Sequence, residues 1–341
     1  VPYTSLVSRT LITFESVILK VVLLPAYFVA MYHMFTIGRY YPKGHNYTLR
    51  DLRDHWNRSF LKLSNVWAFV RAVILLLFFG TAVSNVKPLV PLYTSKLYDD
   101  VLLRLDKAIC GGFDLFAWCS SIRGPYLDVI MSAGYHFLFV VFIFSVGILF
   151  MQQRNELRLL VLCFMLVYVA GVALHFAVPS LGDVYVAGRA HLYENLPCDL
   201  GTRELQRMLW QERMRLLRNP ALYFQVAPYT GIAAFPSLHC AHMVSLLLVA
   251  WRCHRCALII YFPMALVLFV STMYFGWHYI SDCVVGWILG AAMVYVAAAL
   301  LRWEEKALAR WNSDEAREVP PPVAQESDEP AEALAGAGQQ A

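Results

Sequence analysis

The chain has 341 residues, of which 59% are hydrophobic and 15% charged, with a net charge of +4 and a mean hydropathy of +0.52. A soluble chain carries about 25% charged residues, so this composition argues against a soluble globule and predicts a polytopic membrane protein. No basic block with interleaved aromatics is present, which removes nucleic acid from the expected partners.

A membrane-spanning helix takes about 20 mostly apolar residues. Runs of that kind lie near 11–36, 66–84, 129–151, 157–178, 238–252, 256–275 and 280–302, the first interrupted by Glu15, Lys20 and Pro25. The N-terminus shows neither a basic leader nor a small-residue cleavage site, so no removable signal peptide is expected. Between the first two runs stand Arg39, Lys43, Arg50, Arg53, Arg58 and Lys62. Later turns carry Arg154 and Arg158, then Arg252 and Arg255, and the last run is followed by Arg302, Lys306 and Arg310. Alternation through the runs puts these basic segments on one side, which the positive-inside rule makes cytoplasmic.

The segments 85–128 and 179–237 then fall outside. In the first, Leu97, Val101, Leu102, Leu105 and Ile109 recur at helical spacing among Asp99, Asp100, Arg104 and Lys107, which predicts an amphipathic helix along the bilayer surface. Residues 200–218 predict a second, more basic one. Beyond Asn312 the chain turns to Pro, Glu, Ala and Gln, the composition of a disordered cytoplasmic tail. The single CxxC, Cys253-His254-Arg255-Cys256, sits in a basic turn with no second ligand pair nearby and reads as membrane-flank cysteines.

Two motifs carry the chemistry: Phe235-Pro236-Ser237-Leu238-His239 and Gly276-Trp277-His278-Tyr279-Ile280-Ser281-Asp282. On a helix His278 and Asp282 share a face. A carboxylate beside an imidazole fixes its tautomer and makes it a competent nucleophile or base. His239, reaching the same outer side, can act as general acid. A lone intramembrane histidine reads equally well as a hydrogen-bonded core residue; the carboxylate at the right spacing and the second histidine tip the balance towards function. Ser237 reads as a helix N-cap, and the same helix start is an anion site. His242, three residues after His239, is expected to make a helix-face hydrogen bond, since nothing completes a metal-ligand spacing.

This pattern resembles the type-2 phosphatidic acid phosphatase superfamily, with its Pro-Ser-x-His and His-x3-Asp motifs. More closely, it is similar to the branch of inositol phosphorylceramide synthases and related bacterial lipid phosphotransferases, which share Pro-Ser-Leu-His and the Tyr-x-Gly-x-His-Tyr-x-x-Asp form, here Tyr274 to Asp282. The resemblance implies an all-α integral membrane protein. Residues 66–302 would form a six-helix transmembrane core, with an N-terminal helix and basic loop over 1–65, interfacial amphipathic helices, and a tail over 303–341.

By the same resemblance His278 attacks phosphorus, Asp282 orients it, and His239 protonates the leaving alkoxide and then deprotonates the acceptor. Ser237 helps to hold the phosphate. Two departures stand out: no Lys-x6-Arg-Pro motif is present, and Thr272 occupies the position of an expected arginine. Arg189 ranks first as a substitute cation, ahead of Arg203 and Arg218. The departures and a possible lid over 179–237 favour transfer to a hydroxyl-bearing acceptor over hydrolysis. A lipid phosphatase is the first alternative and a non-catalytic scaffold or transporter the second. The partners expected are a membrane lipid substrate and its acceptor. No cofactor or metal follows from the residues. The alanine-, arginine- and glutamate-rich end suits a bacterial inner membrane with a periplasm-facing site.

Overall fold

The computed structural model describes residues 63–152, 154–186, 202–225, 231–253 and 255–318. The apolar run at 11–36 and Arg189 lie outside them. Among the described residues the fold is helical throughout, with no strand. Helix α1 (Leu63–Val86) runs into a 3-10 turn, Lys87–Leu89, and the short α2 (Val90–Tyr93). Pro88 and Pro91 sit in first-turn positions, where a missing N–H is harmless. Next come α3 (Asp99–Ile109), α4 (Leu115–Ser121), α5 (Pro125–Gln152), α6 (Arg154–Ala177), α7 (Thr202–Arg218), α8 (Leu238–Cys253), α9 (Leu258–Tyr274) and α10 (Ile280–Glu318).

Three stretches, Val70–Tyr93, Asn155–Ala177 and Ile280–Trp311, are long and apolar enough to cross a membrane, and α8 and α9 are shorter apolar helices. A helix apolar all round belongs in a core or in lipid. In α9, Ile259, Ile260 and Phe262 are all more than half exposed, a face suited to lipid rather than water. Helix α9 packs on α5 and α8, and α6 packs on α1, α5 and α8. An Arg252–Glu156 ion pair of 3.5 Å ties the end of α8 to the start of α6, so two of the four basic segments predicted to share a side, the turns at 151–158 and 252–255, lie together.

The chain divides into two compact units, Val1–Ala298 and Ala299–Ala341, and both motifs belong to the first. In the second, the described residues continue as helix to Glu318, beyond the end predicted near residue 302. Within the first unit α8 and α10 meet along Gly286 and Gly290. A Cβ on Gly286 would stand 2.4 Å from the Ser237 carbonyl oxygen, and one on Gly290 2.2 Å from that of Ala241. Small residues four apart permit this backbone-to-backbone approach.

Helix α3 is amphipathic as expected. Its apolar stripe faces outward, with Val101, Leu105 and Ile109 each about half exposed, while Asp99 is 6% exposed. Asp99 and Asp106 are turned into the protein, where they hold the Leu181–Gly182 turn and the second motif.

Candidate active site

After α6 the chain turns through Pro179-Ser180-Leu181-Gly182. Asp99 Oδ1 accepts the N–H groups of Leu181 (2.9 Å) and Gly182 (3.0 Å) and the Tyr279 hydroxyl (3.0 Å). Burial pushes the Asp99 carboxyl above its ordinary range, and these three donors act against that shift. Arg213, buried on α7, lies in the field of Asp99. Gly182 has φ +99°, and a Cβ there would stand 2.4 Å from the Trp277 carbonyl oxygen, so only glycine fits.

The turn positions both motifs. Ser180 takes the Ala234 N–H on its carbonyl (3.0 Å) and the Phe235 N–H on its hydroxyl (2.9 Å). His175 Nδ1 donates to the Phe235 carbonyl at 2.8 Å. Ser237 is fully buried: its N–H donates to the Asp282 carbonyl (3.0 Å), and its hydroxyl reaches the Cys240 N–H at 3.4 Å, a loose N-cap of α8. The Gly276 carbonyl accepts the Val184 N–H at 3.0 Å, and Trp277 and His278 donate their N–H groups to the Thr272 carbonyl at 2.9 and 3.3 Å.

The i,i+4 spacing brings His278 and Asp282 together by a route other than a shared helix face. Helix α10 begins at Ile280, so His278 stands in the turn before it. Asp282 Oδ2 accepts the Tyr279 N–H at 3.1 Å and stands 3.6 Å from His278 Nδ1. That separation suits an ion pair and is too long for a hydrogen bond; Nδ1 has no hydrogen-bond partner. The orphan N–H groups of Ile280 and Ser281 are taken by Asp106 of α3, the latter at 3.0 Å. Asp106→Ala removes this cap, and we expect a loss of about 1–2 kcal/mol in stability together with reduced turnover. Asp106→Asn should recover part of both, as thermal melting and lipid turnover of the two variants will show.

His239 and His278 lie edge to face with ring centroids 5.7 Å apart. Tyr135 of α5 lies 4.8 Å from the His239 ring and stacks on Trp277 at 5.8 Å. Trp277 meets Tyr185 edge-on, and Tyr185 stacks on Trp210 of α7, which joins the basic amphipathic helix to the His278 turn. Gln206 of α7 donates to the Phe275 carbonyl at 2.9 Å. Burial, and after it the positive charge of Lys87, lower the His278 pKa to about 3, with a hydrogen bond to the Ala234 backbone acting the other way. His278 is therefore a neutral imidazole at physiological pH, the form that can attack.

Of the residues singled out from sequence, His239, His278, Asp282 and Ser237 come together at one end of α8 and α10. Thr272 is buried with its hydroxyl on the Phe269 carbonyl at 2.8 Å. His242 does not make the expected helix-face hydrogen bond: its ring lies between Phe164 (3.9 Å) and Tyr168 (4.6 Å), and neither nitrogen has a partner. Cys253 bonds the Val249 carbonyl, and no cluster among the described residues could hold a metal ion. Sequence reading missed Lys87, the inward role of Asp99 and Asp106, and Tyr135, His175 and Ser180. The i,i+7 pairing of Asp99 with Asp106 opposite an apolar stripe was the one available signal.

An all-helical membrane protein with two histidines and a carboxylate gathered at one end of its helices defines the class. The family model described as PAP2 superfamily matches residues 100–296, more than half of the chain, and the chain belongs to that superfamily. Membership carries a lipid phosphatase or phosphotransferase type of function. Comparison with curated proteins and with solved structures gives no match.

Proposed function

We propose that the protein is a lipid phosphotransferase of the inositol phosphorylceramide synthase-like branch, working through a phosphohistidine at His278. The observation that carries this reading is His278 standing between Asp282, 3.6 Å from its Nδ1, and the His239 ring, 5.7 Å between centroids. In the first step an imidazole nitrogen of His278 attacks phosphorus and the P–O bond to the lipid alcohol breaks. Protonated His239 gives its proton to the leaving oxygen. In the second step neutral His239 takes the proton of an acceptor hydroxyl, the acceptor oxygen attacks phosphorus, and the P–N bond breaks. Asp282 stabilises the charge that develops on the His278 ring, and Ser237 with nearby backbone amides holds phosphate oxygens. Arg189 remains a candidate for the same task. This chemistry requires neither metal nor cofactor.

In this reading α1, α5, α6, α8, α9 and α10 form a six-helix transmembrane core. The site faces the outer leaflet, which in a bacterium means the periplasmic side of the inner membrane. Helix α7 covers the site through Trp210, Tyr185 and Trp277, an arrangement that favours an alcohol over water as acceptor. The test is a product assay on the full chain in lipid nanodiscs without added metal. The donors are phosphatidylinositol, phosphatidylglycerol and phosphatidic acid, each with and without a hydroxyl-bearing lipid acceptor. A new phospholipid formed only with acceptor is expected. Free phosphate released from phosphatidic acid regardless of acceptor would make the protein a phosphatase.

A further inference from the structure

We infer that Lys87 supplies the cation that meets the substrate phosphate, an assignment that rests on the phosphoryl-transfer reading above. A phosphodiester brings a negative charge to the site and gathers more as phosphorus is attacked, so phosphoryl transfer needs a positioned cation. This chain lacks the family's Lys-x6-Arg-Pro motif and carries Thr272 at the other cationic position. Three other described cations, Arg123, Arg213 and Lys107, are engaged elsewhere. Arg123 donates to the Tyr274 carbonyl and lies over the Phe116 and Tyr274 rings. Arg213 faces Asp99, and Lys107 pairs with Asp114 at 3.4 Å.

Lys87 differs on each count. It stands where α1 ends, half-buried, and forms no ion pair among the described residues. A lysine taken from water is ordinarily paired; here its charge acts instead on three imidazoles, those of His175, His239 and His278. Asp282 stands beside one of these histidines, 3.6 Å from His278 Nδ1, and forms no ion pair with Lys87, which leaves the ammonium to meet an anion. Its backbone is fixed next to the first motif: a Cβ on Gly231 would stand 2.5 Å from Lys87 Cβ and 2.7 Å from Pro88 N, and Gly231 opens the stretch that ends at Ser237. The Tyr223 hydroxyl donates to the Asn85 carbonyl at 2.7 Å and holds the same end of α1. Lys87 also lies before residue 100, outside the family match, so a helix beyond the matched region delivers the missing charge.

The test uses the full chain in nanodiscs as wild type, Lys87→Met, Lys87→Arg and His278→Ala. Equilibrium dialysis measures binding of inorganic orthovanadate, a phosphate mimic, and lipid turnover is followed against pH. Lys87→Met should weaken orthovanadate binding about 10- to 100-fold, the worth of a charge-assisted hydrogen bond, and Lys87→Arg should restore most of it. The acid limb of turnover should move to higher pH in the methionine variant, because His278 loses a repelling charge, and stay in place in the arginine variant. Orthovanadate binding unchanged in Lys87→Met, or lost equally in both variants, overturns the assignment. Absence of lipid turnover in the wild type counts instead against the reaction itself, which separates the two failures.

Discussion

His278→Ala is expected to lower lipid turnover at least about a thousand-fold, the order of loss on removing a nucleophile, and to abolish any acid-labile phosphoenzyme. His278 stands outside a regular helix, held by its backbone N–H on the Thr272 carbonyl and by the Asp106 cap of the residues that follow. Its ring is neutral well above its pKa of about 3, so protonation of the nucleophile should leave no limb in the phosphorylation rate between about pH 5 and 8. A limb there belongs to another group. Asp282→Asn sharpens the expectation. Oδ2 both accepts the Tyr279 N–H at 3.1 Å and stands 3.6 Å from His278 Nδ1, so an asparagine that keeps the first bond holds its oxygen there and loses the negative charge. Without that charge the positive phosphohistidine ring is less stabilised, which costs on the order of 100- to 10,000-fold in turnover. Phosphoenzyme trapping from labelled donor lipid, with melting curves as a fold control, reads both variants. Full turnover in a folded His278→Ala would sink the mechanism.

The sequence made some of this legible and hid the rest for physical reasons. His278 with Asp282, and Ser237 with His239, are local pairs whose spacing alone brings them within reach, and apolar length marked the helices. The spacing misled on one point: His278 and Asp282 meet across a turn that enters α10, because Asp106 caps the helix at Ile280 and Ser281. Asp99 reads as part of the polar side of an amphipathic surface helix, and Asp106 does not stand out at all. In a membrane protein the apolar stripe can face lipid, and the polar face is then free to turn inward and satisfy loop amides. The i,i+7 spacing of Asp99 and Asp106 is the one local hint of the inward case. Lys87 was harder still, since its relation to His278 depends on where α1 ends against Gly231, a contact between distant segments. Thr272, by contrast, is legible from spacing alone as standing where the resemblance expects an arginine.

Gly286→Ala should reduce turnover about 100-fold or more while destabilising the protein by on the order of 1–3 kcal/mol. An added Cβ would stand 2.4 Å from the Ser237 carbonyl oxygen, a backbone atom with no rotamer through which to yield. Relief requires α10 to move away from the start of α8. That motion stretches the Ser237 N–H to Asp282 carbonyl bond of 3.0 Å and carries Asp282 away from its place beside His278. Gly290→Ala meets the Ala241 carbonyl oxygen at 2.2 Å, one turn farther from the chemistry. Its stability loss should match that of Gly286→Ala, with a smaller loss of turnover because the helix can pivot. Ile288→Ala is the control: that side chain is 63% exposed, on a face suited to lipid, and its loss should change neither quantity much. Thermal melting in detergent and phosphoenzyme yield across the three variants separate a helix seam that sets the geometry of the site from one that only holds the fold. Equal turnover in Gly286→Ala and Ile288→Ala would show that the approach of α8 to α10 does not position Asp282.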